Sequence, residues 1–125
     1  MKLTEAEWKV MGILWETGAA SARDVHDALR PETGWAYTTV KTILDRLAEK
    51  GGVSVRSRAN TNLYTPLVTR REARRAEIRS TLDRAFDGAF GPLVHFLVSE
   101  EKLSEKDRAE LKRLLDEQER KRGEP

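Results

Sequence analysis

The feature that most constrains this chain is a change of period at residue 51. Upstream of it, Val40, Ile43, Leu44 and Leu47 fall at i, i+3, i+4 and i+7, one apolar stripe along a helix that starts near Trp35. Downstream of Gly51-Gly52 the pattern turns strand-like: Val53-Ser54-Val55-Arg56 and Leu63-Tyr64-Thr65 flank a polar turn over 57–62. Pro66 stands at the strand exit, where its missing N–H does least harm. A helix that runs through a double-glycine stop into a hairpin is compatible with few folds.

The preceding residues supply two more helices. Thr4-Glu5-Ala6-Glu7 has capping-box spacing, and Trp8, Met11, Leu14 and Trp15 follow at helical intervals until Gly18. Ser21-Ala22-Arg23-Asp24 offers a second cap, with Val25, Ala28 and Leu29 behind it and an end near Pro31 and Gly34. Three helices and a two- to three-stranded hairpin make a winged helix-turn-helix. The expected fold class is therefore mainly α, with residues 1–68 as the winged-helix domain.

Residues 69–125 read differently. Thr69-Arg70-Arg71-Glu72 is a third capping box, opening a helix with Ile78, Leu82, Ala85 and Phe86 on one face. Gly88, Gly91 and Pro92 interrupt it, Leu93 to Val98 form a short apolar helix, and Ser104 caps a last helix carrying Leu111, Leu114 and Leu115. So much apolar surface on thin helices calls for a covering surface. A helical dimerisation domain is expected, with Ile78, Leu82, Phe86, Leu93, Val94, Leu97, Leu111 and Leu114 shared with a second copy.

The formal charge of +2 hides an asymmetry. Residues 41–84 hold 11 basic and 5 acidic side chains, whereas residues 100–119 hold 5 basic and 8 acidic. A basic middle and an acidic end suit a half that meets a polyanion and a half that does not. The chain has no cysteine, which excludes disulfides, thiolate metal sites and thiol switches. No apolar run approaches the roughly 18–20 residues of a membrane span, and the first residues lack a signal pattern. A cytoplasmic protein with no membrane partner, metal or cofactor is expected.

The candidate reading surface is the third helix. Opposite its apolar stripe stand Thr38, Thr39, Lys41, Thr42, Asp45 and Arg46. Threonine is a poor helix former, so three in five residues call for a purpose other than helix stability. Short hydroxyl side chains followed by Lys and Arg suit a DNA major groove, where small residues permit close approach and Arg can read guanine. Arg56, Arg58, Asn60 and Asn62 give the hairpin a basic, amide-rich surface for the DNA backbone or minor groove. The Arg70, Arg71, Arg74, Arg75 cluster reads as a solubilising face. His26 and His95, the only histidines, lie in different modules and read as a helix-surface and an interface residue. With no phosphate loop and no nucleophile–base set, no catalytic residue and no enzyme are expected. Double-stranded DNA is the expected partner. The alternative is a winged-helix adaptor that docks proteins and does not read sequence.

Leu14-Trp15, the run Trp35 to Thr42, Asp45-Arg46-Leu47, Glu49-Lys50-Gly51 and Tyr64-Thr65-Pro66-Leu67 together resemble the penicillinase-repressor family (BlaI/MecI/CopY). The resemblance runs from about Leu3 to Leu115. It implies a homodimeric repressor with a winged helix on each half of a palindromic operator, Thr38, Thr39, Lys41, Thr42 and Arg46 being the DNA-reading positions. It also implies a sensor-linked protease as partner, since β-lactam-responsive members are cut at an Asn-Phe bond in the tail. The matching pair here is Phe96-Leu97, after His95, a departure from that pattern. The cysteine cluster of copper-sensing members is missing as well.

Overall fold

A computed structural model describes residues 1–124. The elements run α1 (Glu5–Thr17), β1 (Ala20–Ser21), α2 (Ala22–Thr33), α3 (Tyr37–Lys50), β2 (Val53–Arg58), β3 (Thr61–Pro66), α4 (Arg70–Phe86), α5 (Phe90–Ser99) and α6 (Glu105–Arg122). The fold is mainly helical with one small antiparallel sheet of order β1-β3-β2. It is a winged helix followed by helices, as the period change implied.

The helix starts follow the capping logic. Thr4 Oγ1 accepts from Glu7 N–H while the Glu7 carboxylate accepts from Thr4 N–H, and Ser21 and Asp24 repeat the exchange. Thr69 and Glu72 repeat it at α4. At the end of α3, Gly51 adopts φ 83° and its N–H donates to Ala48, while Gly52 N–H donates to Leu47. This pair of bonds closes the helix, and the left-handed conformation suits a residue without a Cβ.

Two features depart from the sequence pattern. A short strand precedes α2: Ala20 pairs with Tyr64 and Ser21 with Leu63. The hairpin is also longer and tighter than the hydrophobic pattern suggested. Val53 to Arg58 pairs in register with Pro66 back to Thr61, leaving a two-residue turn at Ala59 and Asn60, with φ 50° and 65°. Both central residues are left-handed, the geometry that matches strand twist in a two-residue hairpin. The usual Asn-Gly signal is absent, and the flanking strand positions are polar because both faces of the tip are exposed.

The chain divides into two compact units, Met1–Ser80 and Thr81–Pro125. The core of the first joins Val10, Met11 and Leu14 of α1, Val25 and Leu29 of α2, the α3 stripe, Val53 and Tyr64. This unit runs past residue 68 because the start of α4 packs on it. Trp15 Nε1 donates to the Val68 carbonyl at 2.9 Å, the Arg70 guanidinium lies 5.3 Å from the Trp15 ring centroid, and Ala73 is buried. Arg70 thus has a packing role beyond solubility. In the second unit neither α5 nor α6 has a buried residue.

Glu7 is the one buried charged residue among those described. Lys50 Nζ, at the far end of α3, reaches its carboxylate at 2.7 Å and also donates to the Lys2 carbonyl. Burial raises the Glu7 pKa, but the bonds from Lys50 and Thr4 outweigh it and hold the group below its ordinary 4.5. A depressed pKa contributes stability above the unfolded value, lost as pH falls through the folded one. Glu7→Gln is therefore expected to lose about 1–2 kcal/mol in urea unfolding at neutral pH, and the gap should close in acid. A second variant probes the turn. Ala59→Gly removes the Cβ penalty at positive φ and should stabilise the unit by about 0.5–1 kcal/mol in the same measurement.

Candidate nucleic-acid interface

The two faces of α3 are sharply divided. Val40, Ile43, Leu44 and Leu47 are buried, while Thr38, Thr39, Thr42, Asp45 and Arg46 are exposed. Arg46 has no ion pair among the described residues, so its guanidinium is free to bond outward. The Thr42 hydroxyl donates to the Thr38 carbonyl at 2.9 Å. That leaves a methyl group and the oxygen's acceptor capacity facing solvent. Ala36 caps α3 without a side-chain bond, so no side chain occupies the N–H groups of its first turn.

Lys41 differs from the free cation expected of it. Its ammonium donates to Asp45 Oδ1 at 2.9 Å, Asp45 Oδ2 at 3.2 Å and Tyr64 Oη at 2.9 Å. Tyr64 in turn donates to Asp45 Oδ1 at 3.2 Å, closing a triangle between α3 and β3. The bonds to Tyr64 and Asp45 favour the charged ammonium and raise its pKa above the ordinary lysine value. The sequence placed Lys41 and Asp45 one helical turn apart, but the third partner lies 23 residues on, on another element.

Strand β1 brings the start of α2 beside the wing. The result is an open groove of about 400 Å³ between Ser21, Ala22 and Arg23 on one side, Tyr37 and Lys41 on α3, and Asn60, Thr61, Asn62 and Tyr64 on the hairpin. Asn60 and Asn62 thus share a surface with α3. Arg56 and Arg58 do not line this groove. They pair with Leu63 and Thr61, so they lie on the wing face opposite Tyr64, exposed and without ion pairs among the described residues. Ser21, Arg23 and Tyr37 were not singled out from sequence. The Ser21 capping box was visible, but the β1–β3 pairing that carries it to the wing was not.

His26 is more than a surface residue. Its side chain is mostly covered, and Nε2 lies 2.9 Å from the Trp35 carbonyl, just before α3. The carbonyl can only accept, so Nε2 carries the proton. The ring also meets Tyr37 edge-on at 6.0 Å. This contact fixes the turn that launches α3 from α2.

In the tail, Ile78, Val94, Leu97, Leu111 and Leu114 are exposed, and Leu93 and Phe86 are half-buried. Leu82 is different: it is fully buried within the single chain, so it has no surface left to share. The Phe96-Leu97 bond lies inside α5. The Phe96 carbonyl accepts from Glu100 N–H at 2.8 Å, and the Phe96 ring packs against Phe86 at 6.3 Å. A protease acting there would have to unwind the helix first. Among the described residues no helix is long and apolar enough to cross a membrane, and no group of three or more His, Cys, Asp or Glu could hold a metal ion.

Similarity to known proteins extends over most of the chain. A family model described as Penicillinase repressor matches residues 3–117. The methicillin resistance regulatory protein MecI of Staphylococcus aureus (strain N315) is 27% identical over 114 residues, covering 91% of this chain and 93% of that protein. The transcriptional regulator BlaI of Mycobacterium tuberculosis is 35% identical over 99 residues, covering 77% of this chain and 72% of that protein. The solution structure of monomeric Bacillus licheniformis BlaI with the blaP half-operator matches with a TM-score of 0.51 at 25% identity, covering 58% of this chain and 88% of that one. On these matches and on its winged-helix architecture, the chain belongs to the penicillinase repressor family.

Proposed function

We propose that this chain is a sequence-specific, DNA-binding transcriptional repressor that acts as a homodimer on an inverted-repeat operator. The observation that carries the reading is the division of α3: a fully buried stripe fixes the helix, and the opposite face presents Thr38, Thr39, Thr42 and Arg46. These are short side chains around one unpaired guanidinium. They can approach base edges closely, with Arg46 reading guanine and the Thr42 methyl meeting thymine. The uncapped first turn of α3 favours a phosphate. Asn60 at the hairpin tip and the Arg56–Arg58 face of the wing provide backbone contacts that carry no sequence information. Membership of a repressor family and the half-operator complex of the related BlaI support the same reading.

The tail supports dimerisation. Two helices without a buried residue, bearing Val94, Leu97, Leu111 and Leu114 in the open, leave more apolar surface than a lone chain usually tolerates. Full burial from full exposure is worth roughly 1.5–3 kcal/mol for such a side chain; these are 37–49% exposed, so covering each recovers about half of that or less, and a second copy presents the same face. Dimer contacts then come from Ile78, Phe86, Leu93, Val94, Leu97, Leu111 and Leu114, with Leu82 as internal packing. A sensor-linked protease would act at the Phe96-Leu97 position.

Arg46→Ala tests the reading face, because the side chain has no internal partner to lose. The variant should melt like the parent. Its affinity for duplexes that the parent selects from a random library should fall by about 1–3 kcal/mol per chain, with a much smaller change on unselected duplex. An equal loss on both would make Arg46 a backbone contact, and failure of the parent to retain any duplex would favour the docking-module alternative. The tail is tested separately. Leu97→Asp should sediment and scatter light as a monomer at micromolar concentration while its winged helix melts unchanged. A persistent dimer would place the interface elsewhere.

A further inference from the structure

Lysine has three N–H donors, and Lys41 uses all of them inside the chain: two on the Asp45 carboxylate and one on Tyr64. A Lys–Asp pair one turn apart on an exposed helix is weak by itself. Tyr64 strengthens this one. Its ring is fully buried, so its hydroxyl is fixed in place, and that hydroxyl accepts from Lys41 while donating to Asp45. The ammonium also lies 5.6 Å from the Tyr64 ring centroid. Arg46, one residue beyond Asp45, is by contrast unpaired. Of the three cations on the reading helix, Arg46 is thus free, Lys41 is neutralised by Asp45, and Lys50 is engaged by Glu7 at the far end.

On the proposed reading of α3 as the DNA-binding helix, we propose that Asp45 is a specificity-determining residue: with Tyr64 it holds the Lys41 ammonium and withholds that charge from phosphates. Sequence-independent binding scales with the number of phosphates that cations neutralise. A helix whose lysine is masked loses little on its operator, where base contacts add affinity. It loses proportionally more on random DNA, where phosphates are all there is. Asp45 acts through Lys41, which makes it a positioning residue for that charge.

A double-mutant cycle separates this role from simple repulsion between Asp45 and DNA. The probe is an unselected 30-base-pair duplex, titrated over a range of salt with the parent, Asp45→Asn, Lys41→Ala and the double variant. Asp45 is exposed and Asn is nearly isosteric, so all four should fold, which thermal melting checks. Asp45→Asn should tighten random-duplex binding by about threefold to tenfold and steepen the salt slope by roughly one per chain. In the Lys41→Ala background the same substitution should change the slope by nothing. An equal steepening in both backgrounds would mean that Asp45 merely repels DNA and would overturn the masking role. So would an unchanged slope in Asp45→Asn alone. Tyr64→Phe, which keeps both charges and the buried ring, should shift the slope in the same direction by a smaller amount. Should the parent bind no duplex at any salt, the DNA reading fails and this inference with it, an outcome distinct from an additive cycle.

Discussion

Tyr64 is the residue on which the winged-helix unit turns. Its ring is wholly buried in the core, its backbone pairs with Val55 on one side and Ala20 on the other, and its hydroxyl reaches Lys41 and Asp45 on α3. One residue therefore joins the hairpin, the strand before α2 and the helix proposed to read DNA. A buried phenol needs a hydrogen-bond partner, and here the partners are the two charged residues that shape the electrostatics of α3. The need to satisfy one core hydroxyl and the arrangement of charge on the outer surface meet in the same three atoms.

The sequence revealed those parts of the fold whose causes are local. Capping boxes at Thr4, Ser21 and Thr69 depend on residues three apart, and the Val40–Leu47 stripe on one helical period, so each was legible. The parts that escaped depend on partners far along the chain. A two-residue strand such as Ala20-Ser21 has no periodicity to detect, and its existence follows from Tyr64 lying opposite. The His26 bond to Trp35, the Trp15 bond to Val68 and the Lys41 bond to Tyr64 are likewise tertiary. The turn at Ala59-Asn60 was missed for another reason: neither residue is glycine, and the register with β3 sets its conformation. For the candidate site, the threonines and Arg46 were correctly placed on one open face. The paired state of Lys41 and the groove beside α2 required the fold.

Both units contain amphipathic helices, yet they meet the cost of chain ordering in different ways. The first encloses a core that leaves its α3 stripe dry, and it continues into α4 because Trp15 and Ala73 need covering. Among its described residues the second has a single fully buried large side chain, Leu82, and apolar side chains that stay in solvent on both α5 and α6. Ordering a residue costs on the order of 1–2 kcal/mol of backbone entropy, which a helix with no buried face does not recover. On the proposed dimer, the tail helices take that cover from a second copy, which the winged helix does not need.

This dependence bears on how such a protein would let go of DNA. If two wings engage two half-sites, each raises the effective concentration of the other, and the gain is lost once the link between them fails. On the proposed dimer the weakest point in that link is the tail, because there its stability would be set by association, whereas the first unit encloses its own core. Breaking the Phe96-Leu97 bond would sever α5 where its apolar side chains are densest, but the carbonyl of that bond is engaged in the helix and the Phe96 ring rests on Phe86. A helix whose face is covered by a partner opens less often than one in solvent. Cleavage would therefore compete with dimerisation for the same segment, being fastest on free chains and slowest on a pair held together by DNA. On this physical ground a protease would act by depleting the unbound pool, with the occupied operator clearing as dimers dissociate.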